Sequence, residues 1–130
     1  MMTADSSVWI AYFNGRDTVH TRMLDAVLDD SSHELVVLDL VLMEVLRGFR
    51  QDSDWLSARQ AFAPLPLQVA GGEAVALRAA TLYRDLRAQG TTVRSAIDLM
   101  VGAWCIENDC ALLHDDRDFH GMAGLQTWVA

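Results

Sequence analysis

The sequence predicts an α/β fold, an α/β/α sandwich around a mainly parallel central sheet. Three observations predict it. Short apolar runs of strand type at 2–4, 35–38 and 111–113 alternate with longer stretches that carry apolar residues at helical spacing. Strands separated by helices build parallel sheets, because parallel neighbours need a crossover connection. No repeat, low-complexity tract or linker interrupts the 130 residues, a length that fits one domain over 1–130.

Each element has a local reason. Residues 2–4 read as a strand ending at Asp5, and 7–13 as a short helix stopped by Asn14-Gly15. Val19, Met23, Ala26 and Val27 mark a helix over 18–28, and the Val-rich run 35–38 is the second strand. A helix over 40–49 follows, with Asp39 as its N-cap, and another over 54–63 with Ser53 as its N-cap. Pro64 and Pro66 punctuate the junction before a short strand at 65–69. The long helix over 72–89 carries Val75, Leu77, Ala79, Leu82 and Leu86 and closes at Gly90. A helix over 95–108, a strand at 111–113, a short helix at 119–123 and a final strand at 125–129 complete the chain.

Composition excludes several classes of function. The apolar stretch 35–46 is broken by Asp39 and Glu44, so it is too short and too polar to span a membrane. The N-terminus has neither a positive region nor a long apolar one, so no signal peptide is read and the cytoplasm is the expected compartment. Cys105 and Cys110 match neither a C-x-x-C redox pair nor a zinc knuckle and are expected as buried thiols. The formal net charge is −8, and all ten basic residues are arginine. That balance rules out a general basic surface for nucleic acid but allows a local site where arginine grips phosphate. The absence of lysine also removes phosphate-receiver and phosphatase readings, which need one beside the phosphoryl group.

Fourteen of the eighteen acids are aspartate, the short arm that hard divalent cations prefer. In open parallel sheets ligands gather at the carboxyl ends of strands. Asp5 ends the first strand, and Asp115 and Asp116 follow the strand at 111–113. Glu44 in "LDLVLMEVLRG" and Asp98 in "RSAIDLMVGAW" stand among apolar neighbours, where an ionised carboxylate needs a partner. Each alone has an ordinary explanation. Asp98 stands three residues after Ser95, as in a capping-box variant. Glu44 can point outward or pair with Arg47 or Arg50. Asp5 and Asp118 can cap the helices after them, and Asp115 can sit exposed in a turn. Convergence is what changes the reading. Carboxylates meeting at one sheet edge would repel by about 4 kcal/mol per close pair at an effective dielectric near 20. Such a cluster persists through protonation or a bound cation, and oxygen-only ligands select Mg²⁺ or Mn²⁺ over zinc.

Weaker signals fall away. "DRDFHG" begins like a calcium loop, but the twelfth position from Asp116 is Thr127 rather than Glu. His114 and His120 lack a zinc-type partner set and are expected at the surface. No Gly-rich phosphate loop occurs, and Ser7 has no histidine partner for a Ser-His-Asp triad. Trp9, Trp55, Trp104 and Trp128 are expected in the core or an interface rather than as base-stacking platforms.

Taken in order, "DSSVWI", "EVLRG", "RSAID" and "LLHDDRDF" resemble the PIN-domain ribonucleases, and among them the VapC toxins of bacterial toxin–antitoxin pairs. The resemblance runs from Asp5 to Phe119. It implies that Asp5, Glu44, Asp98 and Asp116 are the catalytic, metal-binding acids, with Asp118 an additional member and Ser7 the small hydroxyl residue accompanying the first aspartate. It implies Mg²⁺ or Mn²⁺ as cofactor, hydrolysis of RNA phosphodiester bonds by metal-activated water, a homodimer, and a VapB-type antitoxin as partner. His114 stands where the family often has Thr or Ser, and Asp115 where Asn is common. The interval Asp116-x-Asp118-Phe119 favours Asp116 as the inward acid. Arg94 and Arg117 are candidates for holding RNA phosphates, with a salt bridge to a nearby aspartate as the alternative. Trp9, Tyr12, Trp55 and Phe62 are candidate apolar surface for a partner helix, with core packing as the alternative. The competing function is a non-catalytic PIN-like interaction module, against which the intact acids count.

Overall fold

Met2, Thr3 and Ala4 form β1 (Met2–Ala4), and all three are buried although successive strand residues point to opposite faces. A strand buried on both faces needs a layer on each side. The computed structural model describes residues 1–128 and supplies those layers. From β1 the chain runs through α1 (Ser6–Phe13), α2 (Val19–Leu28), β2 (Val37–Leu38), α3 (Asp39–Leu46) and α4 (Asp52–Phe62). It continues through β3 (Leu67–Gln68), α5 (Glu73–Ala88), α6 (Ala96–Glu107) and β4 (Ala111–Leu113) into a 3₁₀ turn at Arg117–Phe119.

β1 pairs in parallel with β4, Ala4 opposite Leu113, and β2 pairs in parallel with β3, Val37 opposite Leu67. A parallel bridge between Met2 and Leu35 joins the two ladders. The Thr3 hydroxyl strengthens that junction by donating to the Val36 carbonyl at 2.7 Å. Thr127 bridges to Leu112 on the far side of β4. The spatial order is therefore β3, β2, β1, β4 and Thr127, with every pairing parallel among the described residues. The Asp5 N–H donates to the Leu113 carbonyl at 2.9 Å, which carries the β1–β4 ladder to the mouth of the acidic site. Leu38, Leu112 and Leu113 are fully buried, as are Val36, Val41 and Val101 on neighbouring elements. Each such side chain contributes roughly 1.5–3 kcal/mol by leaving water.

Several local expectations change. The helix expected at 119–123 is the 3₁₀ turn Arg117–Phe119. The Asp116 carboxylate accepts the Asp118 N–H at 2.9 Å, so the turn starts early, and Gly121 at φ +83° ends it. The final strand shortens to the single bridge at Thr127, and Val129 lies outside the described residues. α4 begins at Asp52, which leaves Ser53 inside the helix instead of capping it. Asp39 opens α3, and its carboxylate accepts from Leu40 N–H (2.8 Å) and Ala70 N–H (3.0 Å), tying α3 to the loop after β3. For Trp9 and Phe62 the core-packing alternative holds: both are buried, with ring centroids 4.7 Å apart. Tyr12 and Trp55 remain partly exposed. His114, expected at the surface, is buried. Cys105 and Cys110 are buried free thiols. Among the described residues no helix is long and apolar enough to cross a membrane.

Candidate active site and metal centre

Two strand ends and two helix starts converge on one carboxylate cluster. Asp5 lies one residue past β1 and caps α1. One of its oxygens, Oδ2, accepts from the Ser7 hydroxyl (2.8 Å) and the Ser7 N–H (3.2 Å). The other, Oδ1, is buried without a hydrogen-bond partner. Burial pushes the Asp5 carboxyl above the usual range, the Ser7 bonds pull it back, and the charge of Asp116 adds to the rise. An orphaned carboxylate oxygen in a residue only 1% exposed is costly unless a ligand approaches it.

Glu44 reaches the same place from α3. The Ser6 hydroxyl donates to its Oε1 at 3.0 Å, and Arg47 lies 3.7 Å from its Oε2. The short bond from Ser6 crosses from α1 to α3 and holds the carboxylate inward, while the Arg47 side chain is largely exposed. The pairing with Arg47 that the sequence allowed is thus present beside the site, not in place of it. Ser6 is a residue that sequence reasoning passed over. Its signal was the serine doublet after Asp5: successive residues of a first helical turn point about 100° apart, so the two hydroxyls serve different carboxylates.

Asp98 stands in the first turn of α6, where the Ser95 hydroxyl accepts its N–H at 3.2 Å. The cap uses the Asp98 backbone, which leaves its carboxylate to the cluster. Burial, followed by the charges of Asp5, Asp116, Glu44 and Asp118, raises its pKa from 3.8 to about 7. Asp116 and Asp118 arrive from the turn after β4 and are half-buried, whereas Asp115 points away, exposed, with His20 at 3.7 Å. Ligand oxygens of Asp5, Glu44 and Asp98 lie within 4.8 Å of one another, and so do those of Asp98, Asp116 and Asp118. Asp98 belongs to both triplets. Arg94 and Arg117 are exposed at the rim, and neither forms a salt bridge within 4.0 Å among the described residues.

The pocket suits a hard divalent cation on its own evidence. All donors are oxygens, the triplets have the spacing of a shared ligand, and the Asp5 Oδ1 lacks any other partner.

Comparison with known proteins identifies a family and relatives. The pattern of the PIN domain family matches residues 2–125. A VapC ribonuclease of Mycobacterium bovis and Ribonuclease VapC11 of Mycobacterium tuberculosis are each 29% identical over 125 residues, covering 95% of this chain and 92% of theirs. Among solved structures, VapBC2 of Rickettsia felis bound to a promoter DNA fragment superposes with a TM-score of 0.78 at 14% identity, covering 98% of each chain. VapC20 of Mycobacterium tuberculosis, a sarcin-ricin-loop-cleaving toxin, superposes with a TM-score of 0.66 at 14% identity, covering 95% of each. At that identity the structural likeness speaks for the fold.

Proposed function

The chain belongs to the PIN domain family, and from that membership and its acidic pocket we propose that it is a metal-dependent endoribonuclease, the toxin of a toxin–antitoxin pair. The observation that carries the reading is the pair of carboxylate triplets joined at Asp98, with a buried, unpartnered Asp5 oxygen inside one of them. The curated relatives named above are VapC ribonucleases.

Asp5, Glu44, Asp98 and Asp116, with Asp118, would hold Mg²⁺ or Mn²⁺. When bound, the cation would acidify a water and neutralise charge developing on the scissile phosphate. The chain's own groups do the rest. Ser7 and Ser6 fix the Asp5 and Glu44 carboxylates by donating to them. Ionised Asp98 completes the ligand set, so its proton must leave before the site is competent. Arg94 and Arg117 would take phosphates on either side of the cleaved bond, since neither is salt-bridged among the described residues. Hydrolysis leaves a 5′-phosphate and a 3′-hydroxyl. The overall charge of −8 repels RNA at long range, so binding relies on these two arginines and on the cation the acids would hold.

The reading includes one PIN-like domain over 1–130, a cytoplasmic location and a homodimer. The antitoxin is of VapB type. The groove of about 380 Å³ between α3 and α4, with Leu42, Leu46 and Trp55 in its walls, is the apolar surface offered to an antitoxin helix. The deciding experiment incubates the purified protein with mixed RNAs in Mn²⁺ or EDTA beside Asp98→Asn. Cleavage in Mn²⁺ by the wild type alone is expected. Equal cleavage by the variant sinks the mechanism.

A further inference from the structure

His114 is only 5% exposed and lies two residues before Asp116. Its ring contacts three separate parts of the chain. Nδ1 accepts the Asp116 N–H at 3.4 Å, and Nε2 lies 3.4 Å from the Thr127 Oγ1. The ring packs against Phe119, centroid to centroid 4.9 Å. An N–H directed at Nδ1 requires the lone pair there, so the network assigns the ring proton to Nε2, which donates to Thr127. The Asp116 Oδ1 in turn accepts the Asp118 N–H at 2.9 Å. A line of hydrogen bonds thus runs from Thr127 through His114 to Asp116 and on to Asp118.

This line matters because the other bonds of the turn are internal to it, whereas His114 ties the Asp116 backbone to Thr127. Asp116 has extended dihedrals (φ −138°, ψ 125°), and its N–H has no backbone acceptor among the described residues. A serine or threonine hydroxyl at 114 could close the near bond to Asp116, but it is too short to reach Thr127 as well. The ring does both, and it joins the last acids to the strand segment beyond β4.

We propose that His114 is a positioning residue for the acidic site: it accepts the Asp116 N–H, donates to Thr127, and so fixes the turn that brings Asp116 and Asp118 to Asp98. The inference rests on the reading of Asp116 as a metal ligand. Partners that orient metal ligands typically change affinity 10–100-fold when lost.

Two polar variants separate positioning from mere packing. His114→Asn keeps an acceptor at the Nδ1 position, where an Asn side chain readily takes the N–H two residues on. His114→Gln places its acceptor near Nε2 and leaves the Asp116 N–H without one. Mn²⁺ binding is measured by titration calorimetry, and exchange of the Asp116 and Asp118 amides by NMR. Wild type and Asp116→Asn serve as references. His114→Asn is expected to bind Mn²⁺ within about threefold of wild type, and His114→Gln about tenfold or more weakly, with faster Asp116 amide exchange. Equal Mn²⁺ affinity and equal amide exchange in the two variants would overturn the proposal, since a purely space-filling role favours the larger Gln. If Asp116→Asn binds Mn²⁺ as well as wild type, the ligand reading of Asp116 fails, and the positioning role falls with it. The exchange rates still report whether the His114 bond exists.

Discussion

Replacing Asp98 by Asn removes one charge and almost no volume, so its effect reports the electrostatics of the pocket. The triplets place Asp98 oxygens within 4.8 Å of two pairs of acids. At an effective dielectric near 20, one ionised pair at that range costs about 3 kcal/mol. The pocket limits this cost by holding a proton: the Asp98 pKa rises from 3.8 to about 7. That difference corresponds to about 4 kcal/mol at 1.36 kcal/mol per unit, and water at the pocket mouth screens it to roughly 2 kcal/mol. The sign follows from linkage. The folded chain binds this proton more tightly than the unfolded chain, so the contribution is favourable at low pH. It is lost as pH rises from about 4 through 7. In EDTA at pH 8, Asp98→Asn should therefore melt about 6–10 °C above wild type, with the gap closing toward pH 4. Mn²⁺ at 100 times its dissociation constant should stabilise wild type by about 2.7 kcal/mol and the variant by far less. Thermal denaturation of both proteins, with EDTA or Mn²⁺ at pH 4 and 8, reads all of this. A variant that melts below wild type in EDTA at pH 8, or that gains as much from Mn²⁺, refutes the reasoning.

Other perturbations test separate parts of the structure. Ser6→Ala removes a hydrogen bond to a charged acceptor, so it should cost about 1.5–3 kcal/mol, read by chemical denaturation, and should weaken Mn²⁺ binding as Glu44 loses its tether. Arg94→Gln and Arg117→Gln break no salt bridge among the described residues, so melting temperatures should stay within about 2 °C of wild type. RNA binding with Ca²⁺ in place of the catalytic cation should weaken, and the salt dependence should fall by about one unit for each. In Gly102→Ala the new Cβ would collide with the Met122 Sδ. Crowding there costs about 1–3 kcal/mol against the helix-propensity gain of about 1, so net destabilisation of up to about 2 kcal/mol is expected by denaturant titration. Truncating Met122 in the same protein should recover part of it.

Strand positions were legible where burial on both faces left no choice. Residues 2–4 and 111–113 contain hydrophobic or small residues at every position, and both form strands with those bounds. Helix interiors were legible for the same reason that α5 buries Val75, Ala79, Leu82 and Leu86 along one stripe. Helix ends were not, because they depend on which polar group takes the first free N–H groups. Asp39 was read as a cap, yet its carboxylate also serves Ala70, a residue 31 positions away. The turn at Arg117–Phe119 started early because Asp116 accepts the Asp118 N–H. The last strand shrank to Thr127, since a single bridge to Leu112 carries no periodicity that a sequence can show.

The acidic site was legible by another route: charge placed where local structure has no use for it. A capping aspartate satisfies its oxygens locally, and half of Asp5 does this through Ser7. The other half does not, and Oδ1 stays buried and bare. Asp98 repeats the pattern, with a cap built from its backbone and a carboxylate held near neutrality by burial and by its acidic neighbours. The role of Ser6 and the burial of His114 were not legible because each depends on a tertiary bond, spanning 38 residues in one case and 13 in the other. Neither donates to the cluster a charge that could neutralise it. Arg47 is the only cation paired with any of its members among the described residues, and at 3.7 Å it answers one Glu44 oxygen, leaving Asp5, Asp98, Asp116 and Asp118 without a basic partner. So lopsided an arrangement favours a proton on Asp98, and a divalent cation held by these acids would favour its release while giving the Asp5 Oδ1 a partner.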